Sequence, residues 1–290
     1  RMLEHDMAVR TLDSLGLMPR QQEEVRAMLR SPGGLILVTG PNGAGKTTTL
    51  YTCLHTLNDG RRKINTIEDP IEYAVEGLRQ SQTNAGIDLD FPDLLRAVLR
   101  QAPDVIMIGE IRDSVTAQTA IRAANSGHLV LSTLHAGVAA GAVQSMLSLQ
   151  VNPHFLSTCL RGVITQRLVR VLCPQCKQPV QEHDSPNMLQ EVEGLLEAGQ
   201  PSQPCAARGC DHCWQTGYND RTGVFEILPV TAAIRKLIAQ AASVREIESE
   251  AMREGMIGFR RAGLLKVAQG LTSHEELLRV IPTDFPGLDA

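Results

Sequence analysis

An α/β fold, with a parallel sheet buried between helices, is predicted by three observations on this chain of 290 residues. The apolar run Leu35-Ile-Leu-Val38 leads into Gly40-Pro41-Asn42-Gly43-Ala44-Gly45-Lys46-Thr47-Thr48, a P-loop pattern set between a strand and a helix. Further unbroken apolar runs alternate with segments of helical spacing, as expected for strands covered on both faces. Two C-x-x-C pairs, Cys173-Pro-Gln-Cys176 and Cys210-Asp-His-Cys213, then interrupt the alternation with a small metal-binding insert.

The elements follow in order. Residues 1–19 are expected to be a linker, and a chain opening on Arg1 rather than methionine is expected to be a piece lacking upstream domains. Pro19 precedes a charged helix over 21–30, which Ser31-Pro-Gly-Gly closes. The first strand covers 35–38, a helix opens at Lys46, and a second strand over 61–68 ends in acids. Leu94, Leu95, Val98 and Leu99 fall on one helical face, so 91–101 is a helix. A third strand covers 104–110, a helix 115–124 and a fourth strand 127–135. Ligands of such sheets gather at the carboxyl ends of the strands, where Thr39, Glu68, Glu110 and His135 fall. After Pro229 come short amphipathic helices over 231–239, 244–254, 263–269 and 273–280, with Ser243 and Ser273 as N-caps and Glu276 in capping-box spacing.

The P-loop residues suit polyphosphate chemistry. Glycines let backbone N–H groups curl around phosphate without a clashing Cβ, and the helix N-terminus adds partial positive charge on the same side. Lys46 reaches the β- and γ-phosphates, and the Thr47 hydroxyl is placed to ligate Mg²⁺. The chain is therefore expected to bind a nucleoside triphosphate. Glu110 ends an apolar strand with Gly109 beside it, where a carboxylate can deprotonate the water that attacks a γ-phosphate. Glu68-Asp69-Pro70-Ile71-Glu72 puts acids just after a strand, and an extended Asp69 lets Glu68 and Glu72 both face the nucleotide. They would hold magnesium-bound waters or position the attacking water. His135 is placed to hydrogen-bond the γ-phosphate and report its presence. Asp104, at the other end of its strand, lies away from the phosphates.

Composition narrows the class. Hydrophobic content of 43% and charged content of 21% are ordinary for a globular protein, and 3% aromatic content leaves the cores to Leu, Ile, Val and Ala. A net charge of −4 and the lack of a basic, aromatic-studded groove argue against a nucleic-acid translocase. No apolar run approaches the roughly 20 residues of a membrane span, and no signal peptide is expected. Seven cysteines with this spacing point to a reducing compartment, and Cys173, Cys176, Cys210 and Cys213 to a closed, structural Cys₄ zinc site. That zinc would staple a loop-rich insert over 181–204, with Cys205 and His212 as alternative ligands.

Together these motifs resemble the Walker A, Asp box, Walker B and His box of the secretion ATPase superfamily, over nearly the whole chain after about Leu12. The Cys-Pro-x-Cys and Cys-x-x-Cys element followed by Thr216-Gly-Tyr and Arg221-Thr-Gly-Val-Phe-Glu is similar to the type II secretion and pilus-extension branch. The resemblance implies a RecA-like P-loop core with a small zinc-binding insert and a C-terminal helical subdomain. It further implies an ATP-hydrolysing motor using Mg²⁺, in a cytoplasmic homohexamer docked on an inner-membrane platform protein. Glu110 would be the catalytic acid, Glu68 and Glu72 the Asp-box carboxylates and His135 the His-box residue. The expected division is a linker at 1–19, the core at 20–170, a tetracysteine module at 171–226 and the helical subdomain at 227–290. The family's upstream domain, which supplies arginines to the nucleotide, has no counterpart before Lys46, and Arg96, Arg100 and Arg112 are candidates for that role. A nucleotide-binding assembly subunit with little turnover is the alternative function.

Overall fold

The computed structural model describes residues 10–180, 191–196 and 202–281. Expectations for residues 1–9 of the linker, for 181–190 and 197–201 of the insert, and for 282–290 lie outside the described residues. By internal contacts the chain forms two compact units. One runs to Gln166 and takes in Ile227–Met256, and the other comprises Arg167–Glu226 and the residues from Ile257 on.

The described strands β1 (Gly34–Thr39), β2 (Ile64–Glu68), β3 (Leu78–Gln82), β4 (Val105–Ile108), β5 (Leu129–Leu134), β6 (Leu160–Leu172) and β9 (Tyr218–Pro229) form one sheet in the order β3-β2-β4-β5-β1-β6-β9. β1 runs parallel to β5 and β6, β2 to β3 and β4, and β4 to β5. The expected buried parallel sheet is thus present. Helices α1 (Pro19–Leu29), α2 (Lys46–Leu57), α3 (Phe91–Leu99), α4 (Ser114–Asn125), α5 (Ala139–Ser148) and α6 (Pro153–Cys159) accompany it. Side chains of Asp90, Asp113 and Asn152 accept N–H groups at the starts of α3, α4 and α6 and fix where each begins. Leu35, Leu37, Ile106, Ile108, Val130 and Ala120 are fully buried in the core.

Two expectations change in this first unit. Leu12, Leu15 and Leu17 are buried, with Leu12–Leu15 forming a 3₁₀ turn, so residues 10–19 are packed structure rather than linker. Leucines at that spacing have apolar surface to bury, and α2 receives it. The segment after Pro229 also does not stay together. The helices Ala232–Ala239 and Val244–Arg253 bury Ile234, Ile238, Ile247 and Ala251 in the first unit's core, while Phe259–Ala268 and His274–Val280 belong to the second unit.

In the second unit, the strands β7 (Gln178–Pro179) and β8 (Cys205–Ala206) pair antiparallel. A buried acid ties β6 to the last described helix. Glu276 accepts the Arg170 N–H at 3.0 Å, Arg170 Nη2 at 2.7 Å and Arg279 Nη2 at 2.7 Å, and its side chain is fully shielded. Ser273 caps the helix as expected, but these arginines take the carboxylate that a capping box would have used. Arg170 also lies over the Tyr218 ring, 4.0 Å from its centroid. Burial pushes the Glu276 carboxyl up, yet the Arg279 and Arg170 hydrogen bonds outweigh it and hold it at about 2. A depressed carboxyl pKa stabilises above the ordinary value of 4.5 and loses that contribution as pH falls from there towards 2. Glu276→Gln is therefore expected to destabilise the protein at pH 7 by about 2 kcal/mol, a figure reduced because both arginines are partly exposed. Denaturant melts of variant and parent at pH 7 and pH 3 check this, and the difference should shrink at the lower pH.

Candidate active site and metal centre

The P-loop joins β1 to α2 at the carboxyl end of the sheet. Gly40 takes φ 141°, and a Cβ there would stand 2.4 Å from the Gln166 carbonyl oxygen, so no other residue fits without moving backbone. α2 opens on Gly45, at φ 84°, with no side chain capping it, which leaves its first N–H groups available to an anion. Thr47 is exposed and among the described residues its hydroxyl has no partner, an arrangement that fits a magnesium ligand. Lys46 Nζ donates to the carbonyls of Gly40 at 2.8 Å and Pro41 at 3.1 Å. Burial lowers the Lys46 pKa against an opposing pull from Glu110, so the ammonium and this carboxylate share one neighbourhood.

Glu110 follows β4 with its side chain 14% exposed. Arg112 Nε donates to its Oε2 at 2.6 Å. His135 Nε2 stands 2.7 Å from Oε1, an ion-pair approach without hydrogen-bond alignment, so this buried oxygen lacks a donor among the described residues. The structure thus gathers Lys46, Glu110 and His135 at one strand-end cluster, as the sequence placed them. His135 meets the acid rather than standing apart from it.

The acidic loop is arranged differently from the expectation. Glu68 is buried and both oxygens are occupied: Thr66 Oγ1 donates at 2.5 Å, Gln80 Nε2 at 3.1 Å, and the Tyr51 hydroxyl makes a very short hydrogen bond. Glu72 joins this network through its N–H, which interacts with the Tyr51 oxygen. Burial and then the Glu68 hydrogen bond push the Tyr51 phenol far up, so it stays a donor at any ordinary pH. The Asp69–Pro70 peptide is cis. Asp104 accepts the Lys63 N–H at 2.6 Å at the opposite end of β4. Arg96 is paired with Asp93 and Arg112 with Glu110, so neither guanidinium is directed at the P-loop.

Gln166 is a site residue that the sequence reading missed. From β6 its Nε2 donates to the Ala44 carbonyl at 2.6 Å, and its Oε1 accepts the Thr49 hydroxyl at 2.7 Å. One buried amide thereby holds the loop and the helix after it in register. Beside it, the Thr39 and Thr165 hydroxyls lie 2.7 Å apart. Only pairing of β1 with β6 brings these groups together, so no local pattern marks them. Gln166→Leu leaves two buried polar groups without partners and is expected to weaken nucleotide binding by about tenfold. Fluorescent-nucleotide titration of variant and parent measures that loss.

In the second unit the Sγ atoms of Cys173, Cys176, Cys210 and Cys213 all lie within 4.8 Å of one another. Cys173–Cys210, Cys176–Cys213 and Cys210–Cys213 stand 3.9, 3.7 and 3.7 Å apart. A tetrahedron of Zn–S bonds of about 2.3 Å has edges of roughly 3.8 Å. Backbone N–H groups of Cys210 and Gly217 each approach the Cys213 sulfur at 3.2 Å, as suits a metal thiolate. Cys205 directs its thiol to the Gln203 carbonyl and His212 meets Asn219, so neither alternative ligand joins the cluster.

Residues 1–279 match the family model described as type II/IV secretion system protein. The type II secretion system protein E of Pseudomonas aeruginosa is 45% identical over 283 residues, covering 97% of this chain and 55% of that protein. The type IV pilus assembly ATPase TfpB of Acinetobacter baylyi is 43% identical over 282 residues, covering 97% of this chain and 48% of that protein. The chain thus spans about half the length of these curated relatives. The crystal structure of the pilus retraction motor PilT with bound ADP superposes with a TM-score of 0.70 at 30% identity, covering 97% of this chain and 69% of that one. The ATPase DotB of Legionella pneumophila, at 22% identity and a TM-score of 0.65, shares the fold. The match over nearly the full chain, with the P-loop and strand-end acid in place, makes this chain a member of the type II/IV secretion system protein family.

Proposed function

We propose that this chain hydrolyses Mg·ATP as the motor portion of a machine that secretes proteins or assembles pili. The observation that carries the reading is the cluster at the carboxyl ends of β1, β4 and β5, where an uncapped helix N-terminus, Lys46 and Glu110 meet. Backbone N–H groups of residues 42–48 and the Lys46 ammonium bind the polyphosphate, and the Thr47 hydroxyl would hold a magnesium ion, which would supply charge neutralisation at the phosphates. Glu110 takes a proton from water as the water oxygen bonds to the γ-phosphorus. The bond to the bridging oxygen breaks with its electron pair, releasing ADP. His135, on the same carboxylate, links the γ-phosphate position to β5, while the buried Glu68 network and Glu72 hold the loop after β2 in place.

The chain acts in a homohexameric ring on the cytoplasmic face of the inner membrane, against a platform protein and without nucleic acid. The pilus retraction motor PilT, crystallised with ADP, and the pilus assembly ATPase TfpB support the motor reading. Among the described residues no helix is long and apolar enough to cross a membrane. Zinc in the four-cysteine cluster staples the module between β6 and β9. Lys46 bonded to its own loop carbonyls and Glu110 held by Arg112 favour slow turnover by an isolated chain. Specific ATPase activity is therefore expected to rise with protein concentration as subunits meet. Nucleotide binding with no turnover at any concentration would instead make this an assembly subunit.

A further inference from the structure

Arg112 makes a contact for which the hydrolysis chemistry has no use. Its Nε and Nη2 lie 2.6 and 2.5 Å from a single oxygen of Glu110, Oε2. On the other oxygen His135 Nε2 stands at 2.7 Å. A general base must offer a lone pair within hydrogen-bond reach of the proton it takes. With the guanidinium against Oε2 and the imidazole standing across Oε1 without a hydrogen bond to it, a water reaches this carboxylate only by displacing one of them. One of these two groups has to leave before Glu110 can work.

The Glu110 side chain is 14% exposed while Arg112 and His135 are 65% and 55% exposed, so the acid is fixed by its surroundings and either group on it can swing. What singles out Arg112 is a second carboxylate for it to meet. An acceptor stands close by. β2 and β4 are parallel neighbours, and the Gly109 N–H donates to the Ile67 carbonyl at 2.7 Å, which brings the loop after Glu68 alongside Glu110 and Arg112. Asp69 is exposed on that loop, and its charge reaches Arg112, where it reinforces the larger effect of the Glu110 hydrogen bond in raising the arginine's pKa. Both oxygens of Glu68 are already occupied by Tyr51, Thr66 and Gln80, which makes Asp69 the second carboxylate for Arg112.

We propose that Arg112 is a positioning residue that holds Glu110 at rest, and that hydrolysis requires its guanidinium to pass from Glu110 to Asp69. The exchange is between two carboxylates of one chain, so the guanidinium keeps an acidic partner in both states. It rests on Glu110 being the proton acceptor, and it assigns Asp69 a role that the acidic loop otherwise lacks. Arg112 is then a restraint rather than a substitute for the arginines of a neighbouring domain.

Steady-state ATPase assays on the full chain test this, with kcat and KM resolved, for R112Q, R112K, D69N and the R112Q/D69N double variant, each checked for an unchanged melting temperature. R112Q is expected to raise kcat about fivefold, the population change one partly exposed ion pair sustains, with KM unchanged. R112K, which keeps the charge, should return kcat towards the parent value. D69N should lower kcat several-fold in the parent and have no effect in the R112Q background. A kcat for R112Q at or below the parent's, including no turnover in either, overturns the proposal, as does a D69N effect that persists without Arg112. The variant E110Q/R112Q separates this from the underlying reading: if it turns over as fast as R112Q, Glu110 is not the acceptor and the hydrolysis assignment itself fails.

Discussion

Replacing Glu110 with glutamine lowers turnover by at least about 100-fold while leaving nucleotide affinity within about twofold, the expected signature of a lost general base. Glutamine has nearly the same shape and still accepts one hydrogen bond from Arg112, so β4 and the P-loop keep their positions. What it lacks is the negative charge that the proposed proton transfer from water needs. Phosphate binding rests on Lys46 and the backbone N–H groups of the P-loop, none of which donates to Glu110. Single-turnover hydrolysis together with equilibrium binding of a non-hydrolysable analogue separates the two effects. Turnover preserved within about threefold would mean that another group activates water. The buried Glu68 would be a poor replacement, because Thr66, Gln80 and Tyr51 already occupy its oxygens.

The second large effect is expected at the tetracysteine cluster. Structural zinc in such sites contributes on the order of 10 kcal/mol of apparent binding energy, which becomes folding energy when the site exists only in the folded chain. Cys210→Ser removes one thiolate from a closed tetrahedron and should abolish stoichiometric zinc. The second unit should then melt at least about 10 °C lower, and chelation of the parent protein should reproduce the shift. The first unit has its own core of Leu35, Ile106, Ile108 and Val130, so nucleotide binding should survive. Metal analysis and calorimetry on parent, variant and chelated protein decide the matter. A metal-free parent that melts with Cys210→Ser would show four free thiols packed without a structural ion.

Much of this was legible in the chain itself. The P-loop announces its own geometry because phosphate binding needs glycines at fixed offsets, and a local turn can be read locally. Strands β1, β4 and β5 are fully covered, so their apolar runs stand out against everything around them. The cysteine pairs were equally plain, since two residues between ligands set the tight turn that a tetrahedral edge requires. By contrast β3, Leu78-Arg-Gln-Ser-Gln, lies at the sheet edge with half its side chains in water, and carries no pattern to separate it from a loop. The alanine-rich helix α5 and the short α6 were missed for a related reason: small residues next to a large core leave a faint period.

Residue types at short range determined the phosphate loop, its lysine, the strand-end positions of Glu110 and His135, and the two cysteine pairs. Each follows from spacing along the chain, which the sequence states directly. Tertiary structure alone decided which groups those residues meet. It turned Glu68 into a buried network with Tyr51 and Gln80, brought Gln166 from β6 onto the back of the P-loop, set Arg112 on Glu110, and divided the last helices between two units. All of these depend on which strands become neighbours. Strand order is settled by how apolar faces are covered across the whole fold, and that is information no single stretch of the chain carries.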